Sequence, residues 1–178
     1  MTVIVRAATP ADAGAIATIY GPVITDTAMS FEESPPDPAE IRRRMLVPPR
    51  LPWLVAQQSN RIAGYAYASP HRSRPAYRWS LDCSIYLDLG FRSMGLGRLL
   101  YERLTTELAE LGYVSLFAGI ALPNPVSVRF HEVMGFEAVG VFRKVGYKLG
   151  AWRDVGWWQR TLTDLPEQPS EPAEWRPR

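Results

Sequence analysis

The stretch "GFRSMGLGRLL" (Gly90–Leu100) sets three glycines and two arginines at the threshold of a leucine run with helical spacing. Leu96, Leu99, Leu100, Leu104, Leu108 and Leu111 fall on one face, and Gly112 can end the run, so a helix is predicted over Gly95–Leu111. On one side of it "WSLDCSIYLD" (Trp79–Asp88) reads as a strand, and on the other "VSLFAGI" (Val114–Ile120) reads as a buried strand. Strand, glycine-rich turn, long helix and strand form one βαβ unit, with a right-handed crossover and strands parallel or nearly so. A helix start presents unpaired N–H groups and partial positive charge, which suit phosphate oxygens. Gly95 and Gly97 let the backbone approach an anion, and Arg92 adds a bidentate charged partner. The stretch is neither a Walker A loop nor G-x-G-x-x-G. Taken alone, it reads equally as a phosphate cradle or as a turn with a solvated arginine.

Working outward, "VIVRAA" (Val3–Ala8) is a β-branched strand, and Thr9 can cap a following helix with Pro10 first and Asp12 in its first turn. Ile16, Ile19, Tyr20, Val23 and Ile24 recur at helical spacing, and "SPPDPAEIRRRML" (Ser34–Leu46) is a proline-rich turn leading into a short helix. "WLVAQQ" (Trp53–Gln58) and "RIAGYAYASP" (Arg61–Pro70) flank Ser59-Asn60 as a hairpin. Asn124-Pro125 opens another helix, with Val126, Phe130, Val133 and Met134 as its apolar face and Gly135 as its end. Two more strands are expected in 137–145 and 148–162. The order of elements predicts a mixed α/β sheet. From about Pro166 the chain is rich in Pro and Glu and poor in core formers, so residues 164–178 are expected to form a loose tail behind a domain of residues 1–163.

With 178 residues and 47% hydrophobic content, the chain has enough for one ordinary core. A net charge of +2 with scattered arginines argues against a nucleic-acid groove. One cysteine, Cys83, excludes an internal disulfide and fits a reducing compartment. The N-terminus has no signal-peptide pattern, and no apolar run approaches ~18 residues, so a cytoplasmic protein off the membrane is expected.

"RSMGLG" (Arg92–Gly97) resembles the pyrophosphate loop of the GNAT superfamily of N-acetyltransferases, Arg/Gln-x-x-Gly-x-Gly/Ala, and "NPVSVRFHEVMGF" (Asn124–Phe136) resembles that family's asparagine-led helix. "GYAYASPHRSRPAYRWSLDCSIYL" and "VGYKLGAWRDVGWWQ" (Val145–Gln159) resemble the phosphinothricin and methionine sulfone/sulfoximine acetyltransferase branch. The likeness spans about Val3 to Leu162. It departs at Ser93 and Met94, where the family commonly has Gly and a basic or small residue, and backbone donors survive that change.

The resemblance implies a GNAT fold, with a mixed sheet of about six to seven strands, a splayed parallel pair and about four helices. It implies acetyl transfer from acetyl-CoA, as cosubstrate and without a metal, to the primary amine of a small amino-acid-like acceptor. Arg92, Ser93, Met94, Gly95, Leu96, Gly97 and Arg98 would hold the pyrophosphate. The backbone of Ile85, Tyr86 and Leu87 would pair with the pantetheine arm and polarise the thioester. Asn124 and Ser127 would reach the same arm.

An amine must be neutral to attack, so a base is useful, directly or through water. Asp82 stands where the branch usually has Glu, shorter by a methylene. Its other reading is a strand-end carboxylate paired with Arg72, Arg74 or Arg78. His131 stands where many relatives carry a Tyr; it could be base for the amine or acid for the thiolate, or a helix histidine satisfied by a carbonyl. His71 reads as an exposed loop residue. Arg72 and Arg74, with Ser73 between them, suit an acceptor carboxylate, phosphinate or sulfone, or are solvated. Phe31-Glu32 resembles the loop that overhangs the acceptor; Cys83 reads first as packing but, as a neighbour of Asp82, could line the acceptor pocket, and Ser84 is a candidate for the same pocket. Trp152, Trp157 and Trp158 read as structural, and the branch suggests a homodimer. A polyamine, aminoglycoside or protein N-terminus remains open as acceptor, as does a non-catalytic CoA-sensing module. A nucleotide-binding protein of another class lacks its Walker lysine or acidic ribose partner.

Overall fold

The computed structural model describes residues 3–177. Strand β1 (Val3–Ala7) leads through a 3-10 turn (Pro10–Asp12) into helix α1 (Ala13–Asp26). Thr9 stops the strand: its N–H and hydroxyl both donate to the Asp12 carboxylate, at 2.7 and 2.9 Å. Helix α2 (Pro38–Leu46) starts at Asp37, whose Oδ1 accepts from Glu40 N–H at 2.7 Å. Strands β2 (Trp53–Gln58) and β3 (Arg61–Pro70) form the expected hairpin, with Ser59 and Asn60 both at positive φ, as a two-residue turn requires. Then come β4 (Ser80–Leu87), α3 (Leu96–Glu110), β5 (Ser115–Leu122), α4 (Pro125–Val133), β6 (Glu137–Lys148) and β7 (Ala151–Thr161).

The strands make one seven-stranded sheet in the order β1-β2-β3-β4-β5-β7-β6. All neighbours are antiparallel except β4 and β5, which α3 joins as the crossover. This is the mixed sheet with one parallel pair and four helices expected from the sequence.

Alternation along β2 divides the core. Leu54 and Ala56 pack with the α3 side, and Trp53 and Val55 with the α1–α2 side. Leu96, Leu100, Leu104 and Leu108 of α3 are essentially sealed, each worth ~1.5–3 kcal/mol of burial. Leu99 corrects the predicted stripe: it is 43% exposed. The buried arc of α3 also takes in Gly97, Tyr101 and Thr105, which turns the helix away from Leu99.

The terminal segment differs from the loose tail that its composition suggests. Trp175 is 5% exposed, donates from Nε1 to Glu107 Oε2 at 2.7 Å and lies under the Arg50 guanidinium. Ala173 N–H donates to Leu111 O, and Trp79 Nε1 to Ser170 O. One aromatic anchor and a few backbone bonds hold what the composition could not.

Candidate active site

Strands β4 and β5 pair only at Ser80–Ser115, Leu81–Leu116 and Asp82–Phe117. Beyond Asp82 they diverge, while β4 stays bonded to β3 through Leu87 and β5 to β7 through Leu122. The backbone groups of 83–87 that point away from β3 therefore face a gap, which is the place a peptide-like arm would pair. The Tyr86 ring is engaged elsewhere, in tilted contacts with Tyr20 and Tyr65, so at Tyr86 it is main chain that is left to face the gap.

At the open end of the gap stands the start of α3. Arg92, Ser93, Met94 and Gly95 are exposed, and Leu96 and Gly97 are buried. The two glycines do different work. Gly95 caps the helix at φ +78 with open space beside it. A Cβ on Gly97 would sit 3.1 Å from Phe130 and 3.6 Å from Ile85, so its smallness serves helix packing rather than the approach of an anion. Ser93 holds φ +62, a left-handed conformation favoured by glycine. Across the gap, Asn124 caps α4, its Oδ1 accepting from Ser127 N–H at 3.1 Å. Asn124 and the N-termini of α3 and α4 thus follow the ends of the two parting strands.

Asp82, the last β4 residue paired to β5, accepts a hydrogen bond from none of Arg72, Arg74 or Arg78. Its partner is His71, Nδ1 to Oδ1 at 2.6 Å. Burial pushes the Asp82 carboxyl above its ordinary range, against the His71 hydrogen bond and the Arg72 charge. His71 is no exposed loop residue: its side chain is 11% exposed, stacked on Phe117 with centroids 4.2 Å apart and met edge-on by Trp157. The register could have revealed the contact, because β3–β4 pairs Ser69 with Asp82 and Pro70 with Leu81, placing the next residue diagonally beside Asp82.

His131 lies inside the fold, 4% exposed. Nδ1 donates to Ser127 O at 2.8 Å, so Nε2, 3.0 Å from the Tyr101 hydroxyl, is the acceptor. Burial draws its pKa below the ordinary histidine value, keeping it neutral. Tyr101 also reaches Cys83 Sγ at 3.3 Å, and burial pushes the Cys83 thiol up to about 12. His131 and Asp82 do not touch. Cys83 and Tyr101 lie between them.

On the His71 side, His71, Arg72, Phe117, Val139, Phe142 and Trp157 line a cavity of about 240 Å³. The Arg72 guanidinium lies 5.6 Å over the Trp157 ring, and its Nη1 donates to His71 O. Ser73 and Arg74 are exposed in the adjoining turn, outside that lining. Ser84 lies on β4 opposite Tyr67. The Glu32 carboxylate is occupied within the fold by Arg44 (2.7 and 2.9 Å) and Tyr20 (2.9 Å), and Arg44 first of all holds it below the usual carboxylate range. Lys148 Nζ fastens the same loop through Ser30 O and Glu32 O, and Gly146 gives the Phe31 ring its place. Among the described residues, no group of three or more His, Cys, Asp or Glu is arranged to hold a metal, and no helix is long and apolar enough to cross a membrane.

Residues 5–157 match the family model described as Acetyltransferase (GNAT) domain. The chain is 40% identical to the phosphinothricin N-acetyltransferase of Streptomyces viridochromogenes, over 93% of this chain and 90% of that protein. It is 31% identical to the L-methionine sulfoximine/L-methionine sulfone acetyltransferase of Salmonella typhimurium, over 90% and 95%. The crystal structure of a GNAT superfamily phosphinothricin acetyltransferase from Sinorhizobium meliloti in complex with AcCoA matches with a TM-score of 0.90 at 34% identity, over 96% of this chain and 95% of that one.

Proposed function

The chain belongs to the GNAT acetyltransferase family, and from that premise we propose that it transfers acetyl from acetyl-CoA to the primary amine of a small amino-acid-like acceptor, of the phosphinothricin, methionine sulfone or methionine sulfoximine type. The observation that carries this reading is the gap opening at Asp82–Phe117, with a helix N-terminus at one end and an arginine-lined cavity at the other.

In this reading the backbone of 93–98 and Arg92 bind the pyrophosphate. Main chain at 85–87 and the Asn124 and Ser127 side chains align the pantetheine arm, and a strand N–H there stabilises the thioester oxygen as it becomes an oxyanion. Arg72 meets the acceptor's carboxylate, and Arg74 and Ser73 stand at the cavity's rim. Phe31 overhangs the acceptor, while Glu32 holds that loop through Arg44. Cys83 and Ser84 belong to the strand that carries the site. Asp82 serves the amine side. His131, through the Tyr101 hydroxyl, serves the thiolate side. The amine attacks the thioester directly, and no acetyl-enzyme is needed.

A second copy of the chain completes the assembly on β6. That edge strand carries Val139, Val141, Phe142 and Tyr147 exposed, with Trp152 of β7 62% exposed beside them. A chain with one cysteine and no disulfide suits the cytoplasm.

The test is CoA-thiol release on mixing protein, acetyl-CoA and an amine panel: phosphinothricin, methionine sulfone, methionine sulfoximine, free amino acids, spermidine and an aminoglycoside. Turnover confined to the amino-acid-like members is expected. Turnover on spermidine alone keeps the cosubstrate and overturns the acceptor. Acetyl-CoA binding with no turnover on any member overturns the enzyme reading. Light scattering at twice the 20.0 kDa chain mass tests the dimer.

A further inference from the structure

We propose that Nε2 of His71 is the atom that takes the proton from the acceptor's ammonium, with Asp82 as the positioning residue behind it. This deepens, and rests on, the acetyl-transfer reading above. The geometry carries it in three steps.

First, the 2.6 Å contact between Nδ1 and Asp82 Oδ1 selects the tautomer. A carboxylate only accepts, so Nδ1 bears the hydrogen and Nε2 keeps its lone pair. Among the described residues nothing bonds to Nε2.

Second, the ring is immobilised. It stacks on Phe117 at 4.2 Å and an interplanar angle of 17°, with the Trp157 edge against it. Phe117 is the residue paired with Asp82 where the two strands part, so the imidazole sits at the apex of the gap, where a thioester held between the strands would end.

Third, His71 lines the acceptor cavity beside Arg72, and Asp82 does not. The short carboxylate is thereby extended by a ring that reaches where it cannot. Arg72, in the same lining, suits the acceptor's anionic group, leaving the ammonium to His71. The charged or titratable groups around the ring are Asp82 of β4, Arg72 beside it and Tyr77 with its ring centroid 6.0 Å away. From β5 and β7 the ring meets Phe117 and Trp157.

The step balances simply. One N–H bond of the ammonium breaks, its electron pair stays on nitrogen, and the proton forms a new bond to Nε2. The freed pair attacks the thioester carbon. As the C–S bond breaks, the sulfur keeps those electrons, and the second proton on nitrogen passes to the thiolate. The imidazolium then returns its proton to water.

The experiment compares wild type with His71→Asn, which keeps a donor toward Asp82 without a basic nitrogen, and with His71→Phe, which keeps the ring on Phe117. CoA-thiol release on the amine panel is followed from about pH 5.5 to 9.5, with acetyl-CoA affinity and unfolding midpoint as controls. In both variants kcat is expected to fall by about 10²–10⁴-fold, with the acid limb of the profile lost and acetyl-CoA affinity unchanged. A raised KM at constant kcat, or an acid limb that persists unmoved in His71→Asn, overturns the proposal while the acetyl-transfer reading stands. Wild type that binds acetyl-CoA but releases no thiol with any amine overturns both.

Discussion

The Tyr101 hydroxyl stands 3.0 Å from Nε2 of His131, with both groups inside the core. The Nδ1 hydrogen is already committed to Ser127 O, so the tyrosine proton is the one that satisfies Nε2. Removing it leaves a buried acceptor unpaired. Tyr101→Phe is expected to cost about 1–3 kcal/mol, seen as a lower urea midpoint at unchanged slope. An unchanged midpoint would mean that water or a rotated Cys83 replaces the bond.

The same histidine gives stability a pH dependence. Its pKa is depressed in the fold by burial, whereas the unfolded chain takes the proton near pH 6.5. Its contribution is therefore fully present above about pH 6.5 and is lost as pH falls toward the depressed value. His131→Gln is expected to flatten the stability profile between about pH 7 and 5. An equal slope in wild type and variant would count against it.

Two loop substitutions should act with opposite sign. Gly95→Ala forces a Cβ onto φ +78 and is expected to cost about 1–2 kcal/mol and to weaken acetyl-CoA binding, because the first N–H groups of α3 move with the cap. Ser93→Gly at φ +62 relieves comparable strain and should leave acetyl-CoA affinity the same or tighter. Isothermal titration with acetyl-CoA separates these outcomes, and equal affinities for wild type and Gly95→Ala would remove the loop from the binding site.

Glu32 holds the loop that carries Phe31 through Arg44. Its depressed pKa means that the stability it contributes is present above the ordinary carboxylate range and is lost as pH falls through the folded value. Glu32→Gln should cost about 1 kcal/mol at pH 7, and the gap from wild type should close in acid. A gap that stays constant to low pH would show that the charge is not what matters.

Trp175→Ala should release the terminal strap. The expected reading is rapid proteolysis after about residue 165, with kcat on the preferred acceptor unaltered. Equal protease resistance in wild type and variant would show that the remaining backbone bonds suffice.

Patterns local in the chain were legible as sequence. The α3 leucines other than Leu99, the Asn124 cap, the Ser59-Asn60 hairpin and the order of elements each follow from residues within a few positions of one another. What stayed hidden depends on partners brought from far away. Glu32 is taken up by Arg44 and Lys148, and Trp175 is seated by Arg50 and Glu107. The pairing of His71 with Asp82 spans a strand turn whose register must be known first. Residue type alone could mark Asp82 and His131 as chemically capable. It could not reveal that one would be paired with a histidine and the other enclosed.

The parting of β4 from β5 also makes the strand its own reporter. Beyond Asp82, those β4 amides that point away from β3 have no strand to donate to, so deuterium should enter them quickly in the free protein. A ligand lying between the strands would slow that entry at those positions and leave their β3-facing neighbours unaffected. Occupancy of the gap can thus be counted by isotope uptake, amide by amide, before any acceptor is found.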